Sequence, residues 1–497
     1  MRDDRRMSNS TSESSQGDLG NYIAGQFTAV DPSLTRLDDR NPATGELLAT
    51  VPLSGSAEVD AAVVAARAAF PAWRATPPMV RARAVMKLRE ALDANRDELA
   101  RLVTTDMGKT FDDAFSEVGR GIESVEHACS IPVLMKGENL EGIARGVDVD
   151  LIRQPVGVVA AITPFNFPAM IPLWFLPYAI ACGNTFILKP SEQDPLTSMR
   201  IMELVDSIEE IPKGVVNLIN GGRDAVEGLL EHPGVDAISF VGSAATARII
   251  ASRSAENGKR CQALGGAKNS MVLMPDADPT LMVNGVLGSA FGAAGQRCLA
   301  GSIAVLVGSE AEQDRTLALV TEAAAKLVTG NGADPATDVC PLVTPASRER
   351  VEGEIAAAEA DGCSIVLDGR RDGGSAGAEL GPTIIDGAGP DHKLIREELF
   401  GPVLAVTRAK DLAEAIEFVN GSRYGNASVI FTSSGGHARE YRFGVEAGMV
   451  GVNVGVAAPV AWFPFSGWKD SIDGDLHANG DDAVRFYTRT KVITSRW

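Results

Sequence analysis

Short apolar runs alternate with amphipathic stretches along most of the chain. VGVVAAI (156–162), NTFILK (184–189), GVVNLI (214–219) and DAISFV (236–241) are compact runs rich in β-branched residues. The spacing predicts helices between and after them, over 168–182, 195–209, 224–232 and 244–257. Strands alternating with helices in this way imply βαβ units and a parallel sheet. Such a sheet binds ligands beyond the carboxyl ends of its strands. The loops at those ends are TPFNFP, KPSE, NGG and VGS. A second α/β series runs from about 271 to 455, with SIAVLVG, CSIVLDG, ASVIFTS and MVGVNVG as strands. Ahead of both, NYIAGQFTAV and LLATVPL read as short strands, with NPATGE as a turn. Ser56 is the expected N-cap of the first helix, with Glu58 and Asp60 in its first turn. Ala84, Leu88 and Leu92 share one helical face, Leu99, Leu102 and Val103 continue the apolar positions, and Gly108 is the expected stop. At the far end, VRFYTRTKVITSRW alternates as an exposed strand would.

A chain of 497 residues is too long for one core, so two or three domains are expected. The net charge of −19 removes a nucleic-acid binder from consideration, because no basic run offsets it. It also means that an anionic substrate needs local cations. Six cysteines without a CxxC pair suggest neither zinc ribbon nor disulfide framework and fit a reducing, cytoplasmic compartment. The five histidines form no ligand pattern, and no metal is expected. Residues 1–20 are charged, then Ser-rich, and read as a disordered tail rather than a secretory signal. No segment is apolar for the ~18 residues a membrane span needs. GRRDGGSAGAELG (369–381) reads as a surface loop.

Four places carry candidate chemistry. FGAAGQRCLAG surrounds Cys298. A lone cysteine is usually a small buried hydrophobe. Here, however, Arg297 is adjacent and favours thiolate, and the Gly/Ala surroundings let a substrate reach the sulfur. In TPFNFPAM, Asn166 lies in a loop after a strand. Its amide can stabilise its own turn or donate to an oxyanion. In LKPSE, Lys189 and Glu192 suit ribose oxygens, and the carboxylate repels a 2′-phosphate, unless the pair is simply a solvated charged loop. In FVGS, Ser243 opens a helix whose N–H groups can meet a pyrophosphate, although no G-x-G-x-x-G is present.

Taken in order, PFNFP, LKPSE, FVGS, ALGGAKN, GQRC and EELFGP resemble the aldehyde dehydrogenase superfamily from about residue 21 to the end. PFNFPAMIPLW, QALGGAKN, the Arg-Cys dipeptide and GDLHANGDDAVRFYTRTKVITSRW are similar to its CoA-acylating branch, the methylmalonate-semialdehyde dehydrogenases. The resemblance implies an α/β fold with three parts. A Rossmann-type NAD-binding domain spans 21–270, with an oligomerisation hairpin near 140–153. An α/β catalytic domain spans 271–455, and a C-terminal segment with an oligomerisation strand spans 456–497. A homodimer or homotetramer is implied.

By the same resemblance Cys298 is the nucleophile, and Asn166 with the Cys298 N–H forms the oxyanion site. Thr163, Phe165, Lys189, Glu192, Gln193, Ser243, Gly265, Glu398 and Phe400 contact NAD. Arg120 and Arg297 hold the carboxylate of a semialdehyde. Hydrolytic members resemble ELGG at the position of Ala263, and alanine cannot take a proton from water. A thiol needs less help against a thioester, so coenzyme A is the expected acceptor. The implied reaction turns methylmalonate or malonate semialdehyde, CoA and NAD into propionyl-CoA or acetyl-CoA, CO2 and NADH. The alternatives are a CoA-independent enzyme giving the free acid and a catalytically silent protein of the same fold. Departures from the branch are Gln296 in place of Glu, Ser270 in place of His, and Trp468-Lys469 in the FPFSGWKDS loop.

Overall fold

The computed structural model describes residues 17–29, 31–371 and 374–497. Five parallel strands form the centre of an eight-stranded sheet: Val158–Ile162, Thr185–Lys189, Val216–Leu218, Ala237–Val241 and Arg260–Leu264. Four of these, 158–162, 185–189, 216–218 and 237–241, are buried along their whole length. That is why they read as unbroken apolar runs rather than as alternation. Across the sheet the order is 260–264, 237–241, 158–162, 185–189, 216–218. The chain starts in the middle and winds outward both ways, so a switch point falls between 158–162 and 237–241. A crevice opens there beyond the carboxyl ends.

A second sheet carries six parallel strands in the order Thr383–Asp386, Val403–Ala409, Gly301–Val307, Asn269–Leu273, Ala427–Phe431, Met449–Val452, with Ser364–Leu367 antiparallel at one edge. Residues 265–268 join the two sheets, so the nucleophile candidate and its support come from elements on either side of this short link. A third, antiparallel sheet stands apart. It consists of the hairpin Glu138–Ala144 and Val147–Pro155, with Thr488–Arg496 alongside the second strand. Its side chains include exposed Leu140 and Val492.

Several expectations shift in detail. The first helix, Ser56–Ala75, is capped by Gly55, not Ser56, and the Glu58 carboxylate accepts the Gly55 N–H at 2.8 Å. The stretch 21–30 is not one strand. Asn21–Ile23 and Gln26–Thr28 form a hairpin around Ala24 and Gly25, both at positive φ, and Val30 lies outside the described residues. The disordered tail expected over 1–20 does not include Gly17–Asp18, which pairs with Ala49–Thr50, while 1–16 lie outside the described residues. Two residues of the 369–381 loop, 372 and 373, also lie outside them. Within the final run, only Thr488–Arg496 is strand, and Gly480–Phe486 is a short helix. Among the described residues no helix is long and apolar enough to cross a membrane.

The first sheet draws part of its structure from far along the chain. Ile472–Asp473 pairs with Ala263–Leu264. Tyr487 is fully buried, its hydroxyl 2.8 Å from the Ser239 hydroxyl, and its carbonyl accepts from the Asn184 amide at 2.9 Å. The Arg260 guanidinium donates to the carbonyls of Phe486 and Thr488.

Candidate active site

Cys298 lies in the loop between a tight turn, Gly292–Gly295, and the strand Gly301–Val307. The turn is strained. Ala293 and Ala294 sit in the left-handed region at φ 49° and 54°, which costs each about 1–2 kcal/mol. At Gly295, a Cβ would lie 2.3 Å from the Gly401 carbonyl oxygen. Such a loop persists only when its surroundings over-determine it. Here three asparagines do so. The Asn166 amide donates to the Gln296 carbonyl at 3.0 Å, Asn269 to the carbonyls of Cys298 and Ala300 at 2.9 Å each, and Asn426 to that of Cys298 at 2.9 Å. The Gln296 side chain accepts from the Val343 N–H and donates to the Ala293 carbonyl. Asp113 accepts the Ala293 N–H and pairs with Arg297 at 2.7 Å.

Cys298 is the shared wall of two cavities. One, of about 280 Å³, is lined by Arg120, Glu123, Met170, Trp174, Arg297 and Phe465 among others. The other, of about 270 Å³, is the sheet-switch crevice, lined by Phe165, Asn166, Ser243, Gly265, Glu398 and Phe400 among others. A group in either cavity can reach the same sulfur. This is the arrangement a thiol needs to bond a carbonyl carbon on one side while a hydride leaves on the other.

The Aldehyde dehydrogenase family profile matches residues 29–493. The chain belongs to that family. Among relatives of this aldehyde dehydrogenase, malonate-semialdehyde dehydrogenase 2 of Geobacillus kaustophilus is 47% identical over 481 residues, covering 96% of this chain and 99% of that one. Among solved structures, a putative methylmalonate-semialdehyde dehydrogenase from Sinorhizobium meliloti complexed with NAD has a TM-score of 0.94 at 43% identity, covering 97% of this chain and 98% of that one. A methylmalonate-semialdehyde dehydrogenase from Oceanimonas doudoroffii has a TM-score of 0.94 at 44% identity, with the same coverage.

Within this dehydrogenase fold, the expected site residues fall into three groups. Cys298, Asn166, Phe165, Ser243, Gly265, Glu398 and Phe400 meet at the crevice. Arg120 and Arg297 meet Cys298 in the other cavity. Thr163, Lys189, Glu192 and Gln193 do not line the cavity with the sulfur. They stand farther out, at or just beyond the ends of strands 158–162 and 185–189. There the Thr163 N–H donates to the Lys189 carbonyl at 3.1 Å, and Lys189 pairs with Glu192 at 2.7 Å. The Gln193 side-chain oxygen is buried without a partner. Ser243 caps the helix Ala244–Glu256, accepting the Thr246 N–H at 3.3 Å. Phe165 and Phe400 meet edge to face at 5.8 Å, with Phe400 held at φ 56°.

Three residues escaped the sequence reading. Asn269 and Asn426 each stand at the start of an otherwise apolar strand, a faint signal for a buried backbone anchor. Lys109 follows Gly108 with no motif around it, and it is buried.

Two titrations matter. Burial pushes the Cys298 thiol up to about 12, and Glu398 adds to the rise, while N–H groups of Cys298 and Leu299 and the Lys109 ammonium oppose it. Burial also raises the Glu398 carboxyl to about 7, against the Ala267 N–H at 3.0 Å and the charge of Lys268. Glu398→Gln removes the negative charge facing the sulfur, so the thiol should ionise at lower pH. At pH 8, iodoacetamide should then alkylate Cys298 about three- to tenfold faster than in the parent, read by mass spectrometry of that peptide. The difference should shrink as pH falls through about 7, where the parent carboxyl itself becomes neutral. An unchanged rate at pH 8 would show that the two groups do not interact.

Proposed function

We propose that this aldehyde dehydrogenase oxidises malonate or methylmalonate semialdehyde with NAD and passes the acyl group to coenzyme A. The observation that carries the reading is the sulfur between two cavities, with guanidinium groups on one side and Glu398 on the other.

The crevice fits a dinucleotide on its own terms. It lies at the switch point, Ser243 opens a helix towards it, and Gly266 permits a close approach that a Cβ, 2.5 Å from Glu398, would block. Ser243 and the start of helix 244–256 would hold the pyrophosphate. Lys189 and Glu192 would hold the adenosine ribose, with Thr163 beside them, and Glu398 would hold the nicotinamide ribose beside Phe165 and Phe400. Gly265 leaves room for the cofactor at the strand end. NAD, when bound, supplies the hydride acceptor. A carboxylate at 192 disfavours a 2′-phosphate and so selects NAD over NADP.

In the other cavity, Arg120 and Arg297 would take the substrate carboxylate in charge-assisted hydrogen bonds. The Cys298 sulfur bonds to the aldehyde carbon, and the Asn166 amide with the Cys298 N–H stabilises the oxyanion. Loss of hydride leaves a Cys298 thioester. Its carbonyl accepts the electron pair released when the β-carboxylate departs as CO2, and the enolate so formed takes a proton from solvent at its α-carbon, leaving an acetyl or propionyl thioester on Cys298. The thiol of CoA then attacks the thioester carbon and releases Cys298.

Water is a poor rival for that last step. Position 263 carries a buried methyl group in the core cluster that also holds Ile162, Phe240 and Ala247, so no carboxylate is available there to activate it. Six free cysteines suit the cytoplasm. The sheet of 138–144, 147–155 and 488–496 presents Leu140 and Val492 to solvent and leaves strand edges open, which suits pairing between subunits in a dimer or tetramer.

The test is NADH absorbance with malonate semialdehyde, with and without CoA. Turnover only with CoA, together with acetyl-CoA in the product, is expected. CoA-independent turnover would assign a free-acid enzyme, and no turnover a silent one.

A further inference from the structure

The loop that carries Asn166 is clamped from below by a buried ion pair. Lys109 follows Gly108, the left-handed end of helix Arg96–Met107, and is 1% exposed. Its ammonium donates to the Asn166 carbonyl and to Glu117, and lies 3.8 Å from the centre of the Phe167 ring. Two of these three neighbours of the ammonium, the Asn166 carbonyl and the Phe167 ring, belong to the segment 166–167 itself. Glu117 completes the grip. Its other oxygen accepts the N–H groups of Ala169 at 2.9 Å and Met170 at 3.2 Å, where the helix Met170–Cys182 begins. The ion pair thus holds the loop at a carbonyl on one side and at two N–H groups on the other. The Asn166 side chain leaves this clamped backbone and donates to the Gln296 carbonyl, two residues before the sulfur.

We propose that Lys109 is a positioning residue that acts through Asn166: its buried ammonium fixes the loop so that the amide stays aimed at the place where the oxyanion forms. This rests on the reading of Asn166 as oxyanion donor. A buried ion pair is costly and an apolar pair of similar volume often serves stability as well. Its placement, with every bond spent on one five-residue stretch beside the nucleophile, points to aim rather than to stability. The same ammonium helps to draw the Cys298 thiol down.

The experiment is a double-mutant cycle in the full-length enzyme, read as the single-turnover rate of NADH formation with NAD and semialdehyde. Asn166→Ala should slow that step about 10²- to 10³-fold. Lys109→Met with Glu117→Gln, which removes both charges together, should slow it about tenfold. In the Asn166→Ala background the same pair should cost less than about twofold, since the residue through which it acts is gone. Additive losses would overturn the positioning role while leaving the oxyanion reading intact. A normal rate in Asn166→Ala would sink both. If the charge-free pair does not fold, by circular dichroism and melting, Lys109→Gln replaces it, because its amide keeps a donor for Glu117. Failure of both variants to fold would assign the pair to stability alone and overturn the proposal.

Discussion

Cys298→Ala should stop NADH production, by at least about 10⁴-fold, while NAD still binds with its parental affinity. The hydrogen bonds that build the nucleophile loop are made by the main chain of residues 293–300 and by neighbouring side chains, not by the sulfur. Asn269 and Asn426 grip the Cys298 carbonyl, and Asn166 grips that of Gln296. Removing one sulfur atom at the meeting of two cavities therefore leaves the loop, the crevice and Glu398 in place. Melting should change little, because the Cys298 side chain takes part in none of these hydrogen bonds. Calorimetric titration with NAD and the NADH assay together give the answer. A residual rate within about a hundredfold of the parent would mean that another group attacks the carbonyl, and the covalent route would fall.

Arg120→Ala should raise KM for the anionic semialdehyde about ten- to 150-fold, the loss expected for hydrogen bonds to a charged group, and leave propanal nearly untouched. The two arginines of the cavity are not equivalent. Arg297 is committed to Asp113, which also holds the strained Ala293, so replacing Arg297 should disturb the nucleophile loop and harm every aldehyde. Arg120 has a looser attachment. It pairs with Glu123 one helical turn away at 2.7 Å, with both side chains about one-third exposed, 30% and 33%, and it donates to the Pro459 carbonyl. A solvated pair of that kind is weak and readily exchanged for a better carboxylate. Steady-state kinetics with malonate semialdehyde and propanal side by side measure the split. Equal losses for both substrates would show that Arg120 shapes the cavity without reading charge.

How much of this was legible in the sequence follows from where polar groups sit. Strands 158–162, 185–189 and 237–241 are buried throughout, so their apolar runs announced them. Strand Arg260–Leu264 did not, because Arg260 and Gln262 break its pattern. Gln262 is buried there with its side-chain NH2 donating to the hydroxyls of Ser239 and Tyr487. Short-range chemistry was readable to within a residue: Gly108 ends its helix in the left-handed conformation as expected, whereas the first cap moved from Ser56 to Gly55. Cys298, Asn166 and Glu398 were found because their neighbours make recognisable motifs, and the fold brings them to one crevice. Lys109 could not be found that way. Its partners are Glu117, two helical turns on, and a carbonyl on a distant loop, and no local pattern encodes such a meeting.

The first sheet is finished by residues that are translated long after its own strands. Ile472–Asp473 borders strand 260–264, and Tyr487 fills the space beneath Ser239. Roughly two hundred residues separate these pieces, which at about 5–20 residues per second is some 10–40 seconds of synthesis. Throughout that interval the nascent half-molecule displays an uncovered sheet edge and a vacant aromatic slot. Newly made chains should therefore depend on holding chaperones during translation, and should reach their mature form only once the late segment has docked.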